Sequence, residues 1–228
     1  MERGLTSVAS VSVNKSMGFH VHCDVRDLSL ASLIRVCQTF IKYESSMDSF
    51  MPPSRRTGSA ESNQYFRSNK FDIGPNLTNK QRHDMLGRCS SLEELCDMMN
   101  PSGRYYKLNL QNLISRRQPT IEFRQHSATA SYAKLKNWVR FCMAMVHNSA
   151  RLRSSSCLKD SASLDDQFEK LFYFVIKDRF LRDYYLLRRS QLNSAGESVA
   201  LDTCCDSCHH FDSCAFGGSS QKRTRCMS

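Results

Sequence analysis

The 228-residue sequence predicts a mixed domain of strands and helices, on three observations. Phe19–Val25 and Thr120–His126 alternate apolar and polar residues with the period of two that a strand imposes. Leu30–Ile41, Leu135–Val146 and Phe168–Leu181 instead space their apolar residues by three and four, the pattern of one helix face. The length suits one sizeable domain, at roughly 150 residues per domain, and periodicity is lost beyond residue 189.

Residues 6–14 alternate around Val8, Val11 and Val13, and a turn-like stretch from Asn14 to Gly18 precedes the first strong strand. In that strand Phe19, Val21, Cys23 and Val25 share one face, and His20, His22 and Asp24 the other. Asp27 or Ser29 caps a helix that reaches Tyr43 and Glu44, and Met51-Pro52-Pro53-Ser54-Arg55-Arg56-Thr57-Gly58 turns the chain into a loop. Residues 60–90 are polar and irregular and read as a long surface excursion. Ser91-Leu92-Glu93-Glu94 has the spacing of a capping box and opens a short helix through Met99, stopped by Asn100-Pro101.

Gly103 then turns the chain into a strand candidate over Arg104–Leu110, and Pro119 stands at the start of the strand that follows, where proline is tolerated. From Ser131 a helix carries Leu135, Trp138, Val139, Cys142, Met145 and Val146. After a polar linker, Arg151–Ser163, a longer helix runs from about Leu164 to Arg189. The expected organisation is therefore a domain over 1–189 and a Cys-rich, disordered tail over 190–228.

The net charge of +10 and pI near 9.2 suit an anionic partner. The basic residues come in small sets, Arg55-Arg56, Arg116-Arg117, Arg188-Arg189 and Lys222-Arg223, without an aromatic-interleaved basic strand or a nucleic-acid module, so nucleic acid is not the expected partner and a basic nucleic-acid-associated protein stands only as a second alternative. No apolar run approaches the ~20 residues of a membrane helix and no secretory leader is evident, which points to the cytoplasm. Eleven cysteines, an odd number, then read as reduced thiols rather than a disulfide framework. In the tail, Cys205, Cys208, His209 and Cys214 offer enough thiolate and imidazole for zinc, but the spacing is compressed and a second ligand pair is missing, so a tail without metal is the favoured reading.

The chemistry gathers on Thr120–Thr129. As a strand it sends Ile121 and Phe123 into a core and aims Thr120, Glu122, Arg124 and His126 together on the other face. That face is either solvated surface or the wall of a cleft. His20 and His22 present a similar choice, and Arg55 and Arg56 are either hands for phosphate or substrate, or solvated. No P-loop or Gly-x-Gly-x-x-Gly cradle is present, so any nucleotide binds by another architecture.

Gly18-Phe19-His20-Val21-His22, Pro53-Ser54-Arg55-Arg56, Tyr106-Lys107-Leu108-Asn109-Leu110 and Thr120-Ile121-Glu122-Phe123-Arg124-Gln125-His126, followed by Thr129 and Trp138, together resemble the amidoligases of the carboxylate–amine ligase group over about residues 10–185. The fold of that group is similar to glutamine synthetase and glutamate–cysteine ligase. The resemblance implies an α+β domain with a curved, mainly antiparallel sheet, helices on its outer face and an active site on the concave one. It implies an enzyme that uses ATP and magnesium to phosphorylate a small-molecule or peptide carboxylate, whose phosphate an amine then displaces. Glu122 and Arg124 would be catalytic, with His20, His22 and Glu122 as metal ligands. Arg55, Arg56, Asn109, Arg124 and His126 would bind nucleotide or substrate. Members usually begin with a Glu-x-Glu strand. Here only Glu2 precedes the His-x-His strand, so the chain is expected to start after it, and a truncated or inactive relative that binds a nucleotide or partner is the alternative.

Overall fold

A computed structural model of the chain describes residues 13, 17–58, 64–115, 118–152 and 159–194. Three strands form one antiparallel sheet: β1 (Gly18–Asp24), β2 (Leu108–Asn109) and β3 (Thr120–Ser127), with β3 between the other two. His22 of β1 and Asn109 of β2 both stand opposite Glu122 of β3. Phe19 pairs with His126 but Val21 with Phe123, so two steps along β1 are spanned by three along β3. That extra residue is a bulge, and it resets which way the remaining side chains of β3 point.

Helix α1 runs over Leu30–Ser49, capped by Ser29 rather than Asp27, and places Phe40 edge-on to Phe123 at 6.0 Å. A 3-10 turn over Pro53–Arg55 follows. The surface excursion expected over 60–90 is instead built around two helices, α2 (Asn69–Ile73) and α3 (Asn79–Gly87). Its polar composition hides buried anchors. Asn69 is fully buried, with its Nδ2 donating to Met99 O and Leu108 O at 2.8 Å each, and Arg82 donates to Lys70 O and Gly74 O. Polar side chains that saturate backbone carbonyls belong inside.

Ser91 caps helix α4 (Leu92–Met99) as its spacing predicts, accepting from Glu94 N, but the Glu94 carboxylate accepts from Ser90 N rather than from Ser91 N. The strand candidate over Arg104–Leu110 shortens to the two residues of β2, because the amides of Asn69 and Asn100 accept from Leu108 N and Leu110 N where a further strand would have done so. The one-turn helix α5 (Gln111–Ile114) leads toward β3.

Helix α6 (Tyr132–Ser149) sets Trp138 against Phe123 and stacks it on Phe141 at 5.3 Å. The single helix expected over 164–189 divides. α7 (Leu164–Lys170) continues as a π-helix over Leu171–Ile176, which ends at Lys177 in the left-handed region (φ 55°), before α8 (Arg179–Ser194). No Pro or Gly marks this break, which rests on tertiary contacts such as Asn148 Nδ2 donating to Val175 O at 2.6 Å. Phe50 lies among Phe141, Phe168, Phe172 and Tyr185 and ties the C-terminal helices to the rest of the core.

Among the described residues no helix is long and apolar enough to cross a membrane. Cys37, Cys89, Cys96 and Cys142 are buried free thiols, and burial pushes Cys96 up to about 12. The early alternation over 6–12, Arg116-Arg117 and the zinc candidates Cys205, Cys208, His209 and Cys214 lie outside the described residues.

Candidate active site

Glu122 is the hub. Opposite both His22 and Asn109, and only 5% exposed, it accepts on Oε1 from His20 Nδ1 at 2.8 Å and Arg124 Nη1 at 2.7 Å, and on Oε2 from Asn109 Nδ2 at 2.8 Å. His22 Nε2 lies further off, at 3.7 Å from Oε1, while its Nδ1 is 3.1 Å from Thr120 Oγ1. Burial pushes the Glu122 carboxyl up, but the bonds from His20 and Asn109 and the Arg124 charge overcome it and hold it at about 2. The carboxylate is therefore ionised throughout the physiological range.

Arg124 lies 5.7 Å from the centre of the Tyr105 ring and 3.5 Å from His20, and its Nε is buried without a hydrogen-bond partner. A buried donor left unspent costs free energy until something accepts from it. Arg55 is near. Its Nη2 donates to Met17 O at 2.5 Å and its guanidinium covers the Phe66 ring; burial, then the charge of Arg124, lower its pKa. Gly18 makes room for this gathering, since a Cβ there would stand 2.7 Å from His20 Nε2 and 3.4 Å from Arg55 Nη1.

Two guanidinium groups and an imidazole beside a glycine make a surface suited to phosphate oxygens, and the ionised Glu122 carboxylate among them suits a cation. The chain matches the family model described as "putative amidoligase enzyme" over residues 1–146. It belongs to this amidoligase family. No curated protein and no solved structure matches the chain in the corresponding comparisons.

Every amidoligase candidate read from the sequence lies within that span, outside which fall α7, the π-helix and α8. His20, His22, Asn109, Glu122 and Arg124 come together, with Arg55 beside them. Arg56 does not join: its Nε donates to Met51 O at 2.7 Å, at the end of α1. His126 is corrected as well. The bulge turns it from the Glu122 face to the core, where its ring lies 5.3 Å from Trp138 and 6.0 Å from Phe19, and Nδ1 donates to Ser127 O. Burial, opposed by that bond, brings His126 down to about 4. Even alternation fails there because it assumes an uninterrupted ladder.

Among the described residues no group of three or more His, Cys, Asp or Glu is set to hold a metal ion. His20 is bonded to Glu122, whereas His22 is bonded to Thr120 and stands 3.7 Å from the carboxylate. Magnesium prefers oxygen ligands and shares them with substrate phosphates, so Glu122 fits as one such ligand, whereas the imidazoles suit phosphate oxygens better.

A second polar cluster escapes sequence inspection. Lys107, 1% exposed, donates from Nζ to Glu44 Oε1 at 3.1 Å, Asp48 Oδ1 at 2.6 Å and Thr57 Oγ1 at 2.5 Å. Asp48 also accepts from Thr57 N and Gln125 Nε2. Burial raises the Asp48 pKa, opposed by Lys107 and reinforced by Glu44. One signal was available: Glu44 and Asp48, four apart on a helix beside Phe40, Ile41 and Met47, put two carboxylates where a buried cation must answer them.

Proposed function

We propose that the chain is an ATP- and magnesium-dependent carboxylate–amine ligase, with Glu122 and Arg124 at its centre and a glutamine-synthetase-like sheet whose concave face carries the site. The observation behind this reading is Glu122 buried and bonded to His20, Asn109 and Arg124, with Arg124 Nε unspent and Arg55 alongside. A substrate carboxylate oxygen attacks the γ-phosphorus of ATP, the bond to ADP breaks, and an acyl phosphate forms. The amine nitrogen then bonds to the acyl carbon, phosphate leaves with the electron pair, and the nitrogen gives up a proton. Such transfers require mainly positioning and charge neutralisation. Arg124 and Arg55 would hold the transferred phosphate, and His20 would donate to it once its bond to Glu122 is exchanged. Glu122, together with phosphate oxygens, would hold magnesium, which would supply further neutralisation of charge. On this reading the enzyme works in the cytoplasm, which the free thiols of Cys37, Cys89, Cys96 and Cys142 support.

The test is ADP release by the purified chain. It is expected only when an acid and an amine are supplied together, and to fall at least about 100-fold in Glu122→Gln and Arg124→Ala, the loss seen when a transition-state electrostatic contact is removed. Release that persists in both variants removes this reading. One observation favours a second: Glu122 is the sole carboxylate of the described site and is already taken by three donors, as in a relative that holds a nucleotide without turning it over. ATP binding without ADP release, across a panel of acids and amines, selects it.

A further inference from the structure

Arg55 and Arg124 are like charges brought close. Both reach the neighbourhood of His20: Arg124 Nη1 lies 3.5 Å from its ring, and Arg55 Nη1 and His20 Nε2 would both crowd a side chain at position 18. Their repulsion has to be withstood by whatever joins the turn carrying Arg55 to the strand carrying Arg124. Two residues after that turn, Thr57 accepts from Lys107 Nζ on its hydroxyl oxygen and donates its N–H to Asp48 Oδ2. On the strand side, Lys107 O accepts Arg124 N at 2.8 Å and Gln125 Nε2 donates to Asp48 Oδ1. Lys107 thus ties α1 and the chain after the Arg55 turn through its ammonium, and β3 through its carbonyl, into a single knot. Its three donors are spent on Glu44, Asp48 and Thr57.

We propose that Lys107 is a positioning residue: its knot with Asp48 and Thr57 holds Arg55 against Arg124 so that both guanidinium groups face one phosphate. Preorganising two cations before the anion arrives removes that cost from binding. The proposal rests on the reading that these arginines take the phosphates of ATP, and adds what keeps them in place.

The experiment is a double-mutant cycle on the full chain, with MgATP affinity measured by calorimetry. Lys107→Met is expected to weaken binding about tenfold in the presence of Arg55 and by less than about twofold in Arg55→Ala, since coupled residues show non-additive effects. Lys107→Arg, which keeps the charge, is expected to recover part of the loss. Thr57 is exposed, so Thr57→Val cuts the same tie without burying an unpaired charge. It is expected to weaken binding about threefold, again only with Arg55 present, and it decides the matter alone if Lys107→Met does not fold. Equal losses in both backgrounds, or no loss from either variant while Arg55→Ala and Arg124→Ala still weaken MgATP, overturn the positioning role and leave the phosphate reading standing. MgATP affinity unchanged in Arg55→Ala and Arg124→Ala overturns both.

Discussion

The clusters around Glu122 and Lys107 share the same short stretch of chain, yet one is open and the other sealed. Around Lys107 every charged group is buried or nearly so, and the ammonium's three donors meet three oxygens. Around Glu122 the imidazoles of His20 and His22 are 34% and 39% exposed, and Arg124 Nε has no acceptor. A saturated cluster has nothing left to offer a ligand and works on stability and placement. An unsaturated one holds free energy in reserve for whatever completes it.

The sharpest way to break that contrast is to remove each hub. Lys107→Met leaves two carboxylates buried without their cation and is expected to cost about 3–5 kcal/mol, read by urea unfolding at pH 7. Glu122→Gln is expected to cost less, about 2–3 kcal/mol. If the order reverses, the functional cluster is the structural one. Next in size is a pH effect. The His126 pKa is lowered from its ordinary 6.5 to about 4, so its contribution is complete above pH 6.5 and is lost as pH falls to 4, on the order of 3 kcal/mol. The Glu122 pKa is lowered too, so its contribution is lost at still lower pH, between about 4.5 and 2. Unfolding measured across pH 7 to 2 should show both phases, with only the upper one absent in His126→Phe and only the lower one in Glu122→Gln.

Asn109→Ala removes the only donor given to Glu122 Oε2 among the described side chains. It is expected to raise the Glu122 pKa, followed by carboxyl NMR, and to cost about 1 kcal/mol. The smallest effect on stability is expected for Gly18→Ala, below about 0.5 kcal/mol. Its new Cβ meets the far end of the His20 ring, which can swing aside. ADP release should nonetheless drop, because the ring leaves Glu122.

The alternation of Ile121 and Phe123 against Glu122 was legible because those residues keep a regular register with β1, and Arg124, the first residue past it, still reaches Glu122. His126 was not, because the bulge leaves no mark in the composition. Ser91 announced α4, whereas α2 and α3 were hidden by Asn69 and Arg82, polar residues that turn inward to hold backbone carbonyls. The open cluster could be read since its members are chemically conspicuous residues on strands. The sealed one needed tertiary knowledge, because a buried lysine looks in sequence like any surface lysine.

The bulge also says something about which changes the chain can survive. A substitution at Arg124 or Gln125 alters one side chain, but deleting one residue there would erase the three-against-two match with β1. The ladder would then run regularly from Val21 and Phe123 to Phe19 and His126, without the bend, and one of the two side chains that reach Tyr105 and Asp48 would be gone. In a lineage this strand should drift by replacement and hold its length, and natural insertions and deletions should collect instead in the connections on either side of the sheet.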